Sequence, residues 1–398
     1  MAAPLHRHQS SLQGFVDFSS STVLTPDQCS RATKIFNQLV SRYESIQDER
    51  TAYKYITLLR TVYESVVSKG HFLSHFFLFI DAELRYGQDA PTPTFAEILS
   101  QFDSLHSWSH VQSDELQDTL ANFSDYLVNN FFLPLKASGR KTPQPTPTSL
   151  SLPQSPDNVV GTTQRLARLR QQCLTRDRYR CVISRKFDLN EALSRWNRDG
   201  DDSKDDDGLP LKDERPEYLE VAHILPHSLT SLTGDVEDSQ LSESKRIALQ
   251  VLKMFDPDAG HLVEGPDIDR SINAIVLTHN WHQQVGDFTV SFQPTIDQSP
   301  HSYKIDYIDP NRPFRDPLLP VNRQLYITPT KTIDPPAPRL LAIHHAIARI
   351  LHLSGAGGYI DRIIRDMEEL SIKEDGSTAL GQYAHLKIGG WFDGIPVC

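Results

Sequence analysis

Two histidines and an asparagine are the residues of this 398-residue chain whose types and order could do chemistry: His223, Asn273 and His282. A neutral imidazole, with a pKa of about 6.5, can take a proton from water at physiological pH. Its nitrogens also bind divalent metals. Histidines placed at a strand end and on a neighbouring helix could therefore move a proton or hold a divalent ion. Asp287, His279 and His227 stand nearby as further candidate ligands, and His279 shares a helix face with His282.

The elements that would position them can be read from the pattern. His223 closes an apolar strand that begins at Leu219 and is stopped by Pro226. Asn273 opens the strand Ala274-Ile275-Val276-Leu277, and His282 follows nine residues after Asn273 on a short helix over 280–284. Residues 288–292 alternate as a strand should. Upstream, a basic helix over 162–176 leads to a short strand over 179–183, and residues 239–255 form a helix. The acidic stretch 197–214 reads as a loop insertion; its aspartate spacing lacks the mid-loop glycine and terminal glutamate of a calcium-binding loop.

In this order the residues resemble the HNH nuclease family, whose ββα hairpin-and-helix grips one divalent metal, and most closely the HNH-domain proteins common in fungi. The matching stretches are Cys181-Val182-Ile183-Ser184, Ala222-His223-Ile224-Leu225-Pro226, Asn273-Ala274-Ile275-Val276-Leu277, and His282 through Gly286-Asp287-Phe288, spanning about 130 residues. The resemblance implies that His223 is the general base, that Asn273 pins the loop presenting it, and that His282 ligates the metal. It implies Mg²⁺ or Mn²⁺ as cofactor, with Zn²⁺ or Ni²⁺ also suited to histidine. The chain departs from the pattern at two places: Ala222 stands where the family usually has a metal-ligating Asp or His, and Gly286 where a further ligand often lies. Asp287 is then expected to join His282 at the metal.

The rest of the chain frames this module in an α+β fold. Residues 1–137 read as a helical bundle, starting at Thr25-Pro26-Asp27, where a capping hydroxyl precedes a proline at the first helical position. Its second helix is expected to end near Gly70 and its third to span 71–86. Residues 138–160, rich in Pro, Ser and Thr, read as a linker; 161–308 hold the HNH-like module with insertions, and 309–398 a C-terminal helical extension. That extension starts with irregular proline-rich chain (309–338). It continues into a helix with the stripe Leu340, Ile343, Ile347, Ile350 and Leu351, joined by a packed His344, and a second helix over 359–370. The glycines around Gly355 read as a helix stop rather than a phosphate-cradling loop.

Composition narrows the function. Four scattered cysteines without a Cys-x-x-Cys pair argue against a disulfide framework or an all-cysteine zinc site, and Cys181 reads as a core residue. The longest apolar stretch, 72–80, is about half the ~20 residues a membrane helix needs, and residues 1–9 lack a signal-peptide core; a soluble intracellular protein is expected. The net charge of −11 disfavours a protein that coats nucleic acid. That total hides a segregation: eight basic residues lie between Arg165 and Lys186 against one acid, and six aspartates lie between Asp199 and Asp207. Arg165, Arg168, Arg176, Arg178 and Arg180 are therefore the expected contacts to a DNA backbone, with the acidic loop guarding against indiscriminate binding or lying far from the cleft. Two other functions fit the same sequence. One is an HNH-like fold repurposed for a small-molecule substrate, such as a cyclase of fungal biosynthesis; the other is a non-catalytic nucleic-acid binder or adaptor.

Overall fold

A computed structural model describes residues 24–45, 52–85, 93–139, 162–230, 241–295, 300–326, 332–369 and 380–392. The expected linker beyond Gly139, the N-terminal residues 1–9, Cys398 and the helix ends expected at Tyr86 and Leu370 lie outside these residues.

The N-terminal part is helical throughout: α1 (Pro26–Glu44), α2 (Tyr55–Ser65), α3 (Lys69–Leu84), α4 (Phe95–Gln101), α5 (His110–Leu127) and α6 (Leu133–Gly139). Thr25 and Gln28 form a reciprocal cap at the start of α1, satisfying backbone N–H groups that the first turn leaves open. Thr94 with Glu97 and Ser109 with Gln112 do the same for α4 and α5. The core is aromatic. Phe76 stands edge-on to Phe36 at 5.1 Å and to Phe123 at 5.5 Å, all three fully buried. Gly70 does not end α2, which stops at Ser65; it lies in the first turn of α3. Helix α6 carries the chain to Gly139 with Ser138 buried, so the first two residues of the expected linker belong to the bundle.

The second part mixes helices with two small sheets. In order come α7 (Thr162–Arg176), α8 (Leu189–Asp199), β1 (Leu219–His223), α9 (Glu243–Phe255), α10 (Gly260–Val263), β2 (Ala274–Thr278), α11 (His279–Gly286), β3 (Val290–Pro294), β4 (Ser302–Tyr307) and β5 (Val321–Gln324). The C-terminal helices are α12 (Pro338–Ser354), α13 (Ala356–Glu368) and α14 (Leu380–Ile388). Strands β1 and β2 pair antiparallel with His223 opposite Ala274, and α11 follows β2 without a break, giving the hairpin-and-helix read from the sequence. The other sheet is antiparallel in the order β3-β4-β5.

Three expectations about local structure are corrected. Residues 179–183 are a tight turn, with Arg180 bridged to Phe187, because Arg178, Tyr179 and Arg185 all adopt positive φ and fold the apolar run back on itself. Its Val182 still reaches the sheet, donating its N–H to the Val276 carbonyl at 2.9 Å. A helix absent from the sequence reading, α8, is capped by Asp188 and runs to Asp199, so the acidic loop begins only there. The proline-rich stretch after residue 309 contains β5, which continues the sheet of β3 and β4 across the expected boundary at 308. Helix α12 lies between the two parts, packing on α2 and on β3. Its His344 is buried as the stripe implied; the Nε2 donates to the Val285 carbonyl at 2.9 Å and the ring stacks on Phe288. Gly355, at φ +74°, ends α12 in the left-handed conformation.

Candidate metal centre and its two carboxylates

Asn273 organises the site. It is fully buried in a 3-10 turn over Ser271–Asn273, with Oδ1 accepting the Leu225 N–H at 2.9 Å and Nδ2 donating to the carbonyls of Leu225 and Ile268, both at 3.0 Å. One carboxamide thereby holds the turn after β1 against the segment that precedes β2. The segment before β2 is anchored in turn by Arg176, whose guanidinium forks onto Asp177 and donates to the carbonyls of Ser271 (2.7 Å) and Ala274 (2.8 Å). Arg176 is buried and offers nothing to a phosphate, so its expected role as a DNA contact is replaced by a structural one.

The clasp brings Asp269 beneath the end of β1. Asp269 Oδ1 lies 3.1 Å from His223 Nε2 and 2.7 Å from His227 Nδ1, and Arg165 Nε donates to Oδ2 at 3.2 Å. Burial alone would favour the neutral acid, but the hydrogen bonds from His223 and His227 outweigh it and hold this carboxyl well below the usual carboxylate range. The His223 side chain is 0% exposed. Burial pushes its pKa down, opposed by the bond to Asp269, so the pair is a neutral imidazole beside a carboxylate, with Nε2–H the donor. One donor atom from each of His223, His227 and Asp269 lies within 4.8 Å of the other two. Among the described residues this is the one group of three or more such side chains that meets that condition. Two imidazole nitrogens and an ionised carboxylate suit a borderline divalent ion such as Zn²⁺, Mn²⁺ or Ni²⁺, so the residues present fit a metal.

His282 meets a different carboxylate. It is buried on α11, and its Nδ1 lies 2.5 Å from Glu220 Oε2. The other oxygen of Glu220 takes exposed His279, at 2.9 Å, whose Nε2 is met in turn by Gln283 at 3.0 Å. Hydrogen bonds from the two imidazoles, His282 first, keep the Glu220 carboxyl below its ordinary pKa. Glu220 stands two residues before Ala222 on the same strand face, and its carboxylate meets the two histidines of α11. Asp287 caps the end of α11 through its backbone N–H to Gln283 and is no member of the three-donor group. Gly286 lies against α6: a methyl on Gly139 would stand 2.4 Å from the Gly286 carbonyl oxygen.

Residues 181–293 match the family model described as HNH endonuclease. The chain carries an HNH endonuclease domain. The match opens at Cys181, five residues after α7 ends, and closes inside β3, so the bundle, α7 and the C-terminal helices lie outside it. No curated protein and no solved structure matches the chain.

The expected DNA-contacting arginines of the HNH domain and α7 are largely committed elsewhere. Arg165 holds Asp269, Arg178 pairs with Asp207, and Arg180 with Asp205 (2.6 Å) and Glu214 (3.0 Å). Arg195 of α8 takes Asp206. Arg168 alone of the five is exposed. The acidic loop therefore neither guards a basic track nor lies far off; it lies on Arg178, Arg180 and Arg195 and neutralises them. No helix among the described residues is long and apolar enough to cross a membrane.

Sequence reasoning missed Asp269 and Glu220. Glu220 carried a usable signal, the period-two spacing to Ala222 on one strand face. Asp269 carried none, because only the turn closed by Asn273 brings it to His223.

Proposed function

We propose that this chain is a metal-dependent endonuclease that hydrolyses DNA phosphodiester bonds. The carrying observation is the convergence of His223 Nε2, His227 Nδ1 and Asp269 Oδ1 inside an HNH domain. These three atoms would hold the divalent ion once the two imidazole nitrogens give up the protons they donate to Asp269, since metal binding releases protons from its ligands; three protein ligands leave further coordination positions open, as catalytic sites require. The ion would supply positive charge to the phosphate oxygens. His282 then takes the base role. Its Nδ1–H donates to Glu220, which fixes the proton on Nδ1 and makes Nε2 the atom that would take the proton of the attacking water. Asn273 keeps the turn bearing His227 in register with β2. The test is nicking of supercoiled plasmid by the purified protein with Mn²⁺ or Mg²⁺: EDTA, Asp269→Ala and His282→Ala each abolish it. Nicking that survives any of the three sinks this mechanism, and a retained ion without nicking makes the ion structural.

A second assignment has its own observation. Asp269 accepts from His223 Nε2, which fixes the proton there and leaves His223 Nδ1 as the basic atom, the role the resemblance implies. His282, with Asp287, would then hold the ion. Metal content separates the two: His282→Ala keeps the ion in the first assignment and loses it in the second.

Small-molecule chemistry between the bundle and the HNH part finds little room in one cavity that touches both. The space lined by His75, Phe123, Tyr126, Gln250, Val251 and Met254 measures about 10 Å³, the volume of a single water and not of a metabolite.

A further inference from the structure

Several arginines around the HNH hairpin have a carboxylate, but two neighbouring ones do not. Arg185, in the turn after Ile183, and Arg323, on β5, make no ion pair with any carboxylate among the described residues. They clasp the turn to the strand reciprocally: Arg185 Nη2 donates to the Gln324 carbonyl and Arg323 Nε to the Ile183 carbonyl, both at 2.9 Å. Carbonyls orient a guanidinium but leave its charge intact. Arg185 Nη1 is buried and meets no acceptor. Burial pushes the Arg323 pKa down and the neighbouring Arg185 charge adds to that, the signature of two like charges crowded together without a counter-charge. The Tyr326 ring holds the arrangement: the guanidinium carbon of Arg185 lies 4.7 Å from its centroid and that of Arg178 lies 5.0 Å.

What such a pair lacks is an anion with several oxygens. A planar guanidinium presents paired donors that match phosphate, and two of them set side by side suit a phosphodiester better than a single carboxylate. In a chain of net charge −11 whose Arg178 and Arg180 are already neutralised, Arg185 and Arg323 set two guanidiniums without a counter-charge side by side. With its ring already engaged by two arginines, Tyr326 is a support for the guanidiniums rather than a platform for a base, which points to the backbone of a duplex. We propose that Arg185 and Arg323 form a phosphate-binding site for the backbone of duplex nucleic acid. This deepens the nuclease reading and rests on it for the choice of nucleic acid.

The experiment is fluorescence anisotropy of a labelled DNA duplex with the full chain in EDTA, where no cleavage interferes, across a series of salt concentrations. The expected result is at least tenfold weaker binding for the Arg185→Ala/Arg323→Ala double variant at low salt. The slope of log affinity against log salt should shrink by about two, since each lost phosphate contact removes about 0.9 from it. The Arg185→Lys/Arg323→Lys variant keeps the charges and is expected to keep the slope, which separates a lost contact from a disturbed turn. Arg246→Ala, at an exposed position of α9, should bind like the wild type. The proposal is overturned if the double alanine variant keeps the wild-type affinity and slope, if the wild type does not bind duplex, or if inorganic phosphate at low millimolar concentration displaces the duplex. The nuclease reading fails separately: a chain that binds DNA through these arginines yet never nicks plasmid refutes cleavage and leaves this site standing.

Discussion

The HNH domain holds two carboxylates, each with two histidines, and they are built in opposite ways. At Asp269 both imidazoles aim at the same oxygen, while Arg165 takes the other from behind, and the carboxylate is almost wholly buried. At Glu220 each imidazole has an oxygen to itself, the carboxylate is about a quarter exposed and His279 is open to solvent. Convergence on one atom gathers donors around a point an ion can occupy; division between two atoms fixes the direction of each ring and gathers nothing. In the proposed mechanism the two clusters therefore carry different duties, ion seat and ring orientation, although their residue types are nearly the same.

Breaking the buried cluster should cost most. Asp269→Ala removes an acceptor shared by Arg165 and two histidines in a buried site, and removing one member of a buried charged group costs about 3–5 kcal/mol. Urea unfolding should show that loss, accompanied by loss of bound metal; Glu220→Ala should lose far less stability. Should the two variants unfold alike, the contrast between the clusters is wrong.

Acid sharpens the same contrast through a third histidine, which serves as calibration. Burial pushes His344 down to about 4, so it stays neutral in the folded chain while the unfolded chain takes up its proton at about 6.5. Its contribution is complete above the unfolded value and is lost as pH falls from there through about 4, a loss of about 3 kcal/mol. His223 is depressed in the same direction and adds to the loss in the same window, whereas the Glu220 carboxyl, also depressed, contributes above its unfolded value and yields only at lower pH. Chemical denaturation at pH 7.5 and 4.5 should show His344→Gln flattening this dependence; a wild-type stability that does not fall over that range contradicts the buried neutral imidazoles.

Smaller effects belong to Glu220. Glu220→Gln loosens the orientation of His282, and outer-sphere partners of this kind are typically worth about 10- to 100-fold in activity. The expectation is that drop in nicking rate with metal content unchanged; metal loss would move the ion to His282. The least effect falls on His279→Ala, an exposed partner whose removal should change stability by no more than about 0.5 kcal/mol.

Much of this was legible in the amino-acid order, and what was not has physical causes. Strands β1 and β2 announced themselves as short apolar runs with Pro226 and Asn273 at their edges, and α11 as the polar turn of helix that follows. His227 was visible as a candidate ligand. The run Cys181-Val182-Ile183 misled, since apolarity there reflects burial in a tight turn whose neighbours take positive φ. Strand β5 was masked by prolines that lie beside it rather than in it. The basic stretch read as a phosphate track because charge was visible while pairing was not: Asp205 and Glu214 reach Arg180 only after the intervening loop folds back.

The account is tested most directly by elemental analysis of the purified full chain beside its Asp269→Ala and His282→Ala variants. It predicts one divalent ion per chain in the wild type and in His282→Ala, and none in Asp269→Ala. An ion retained without Asp269, or lost only with His282, would contradict it.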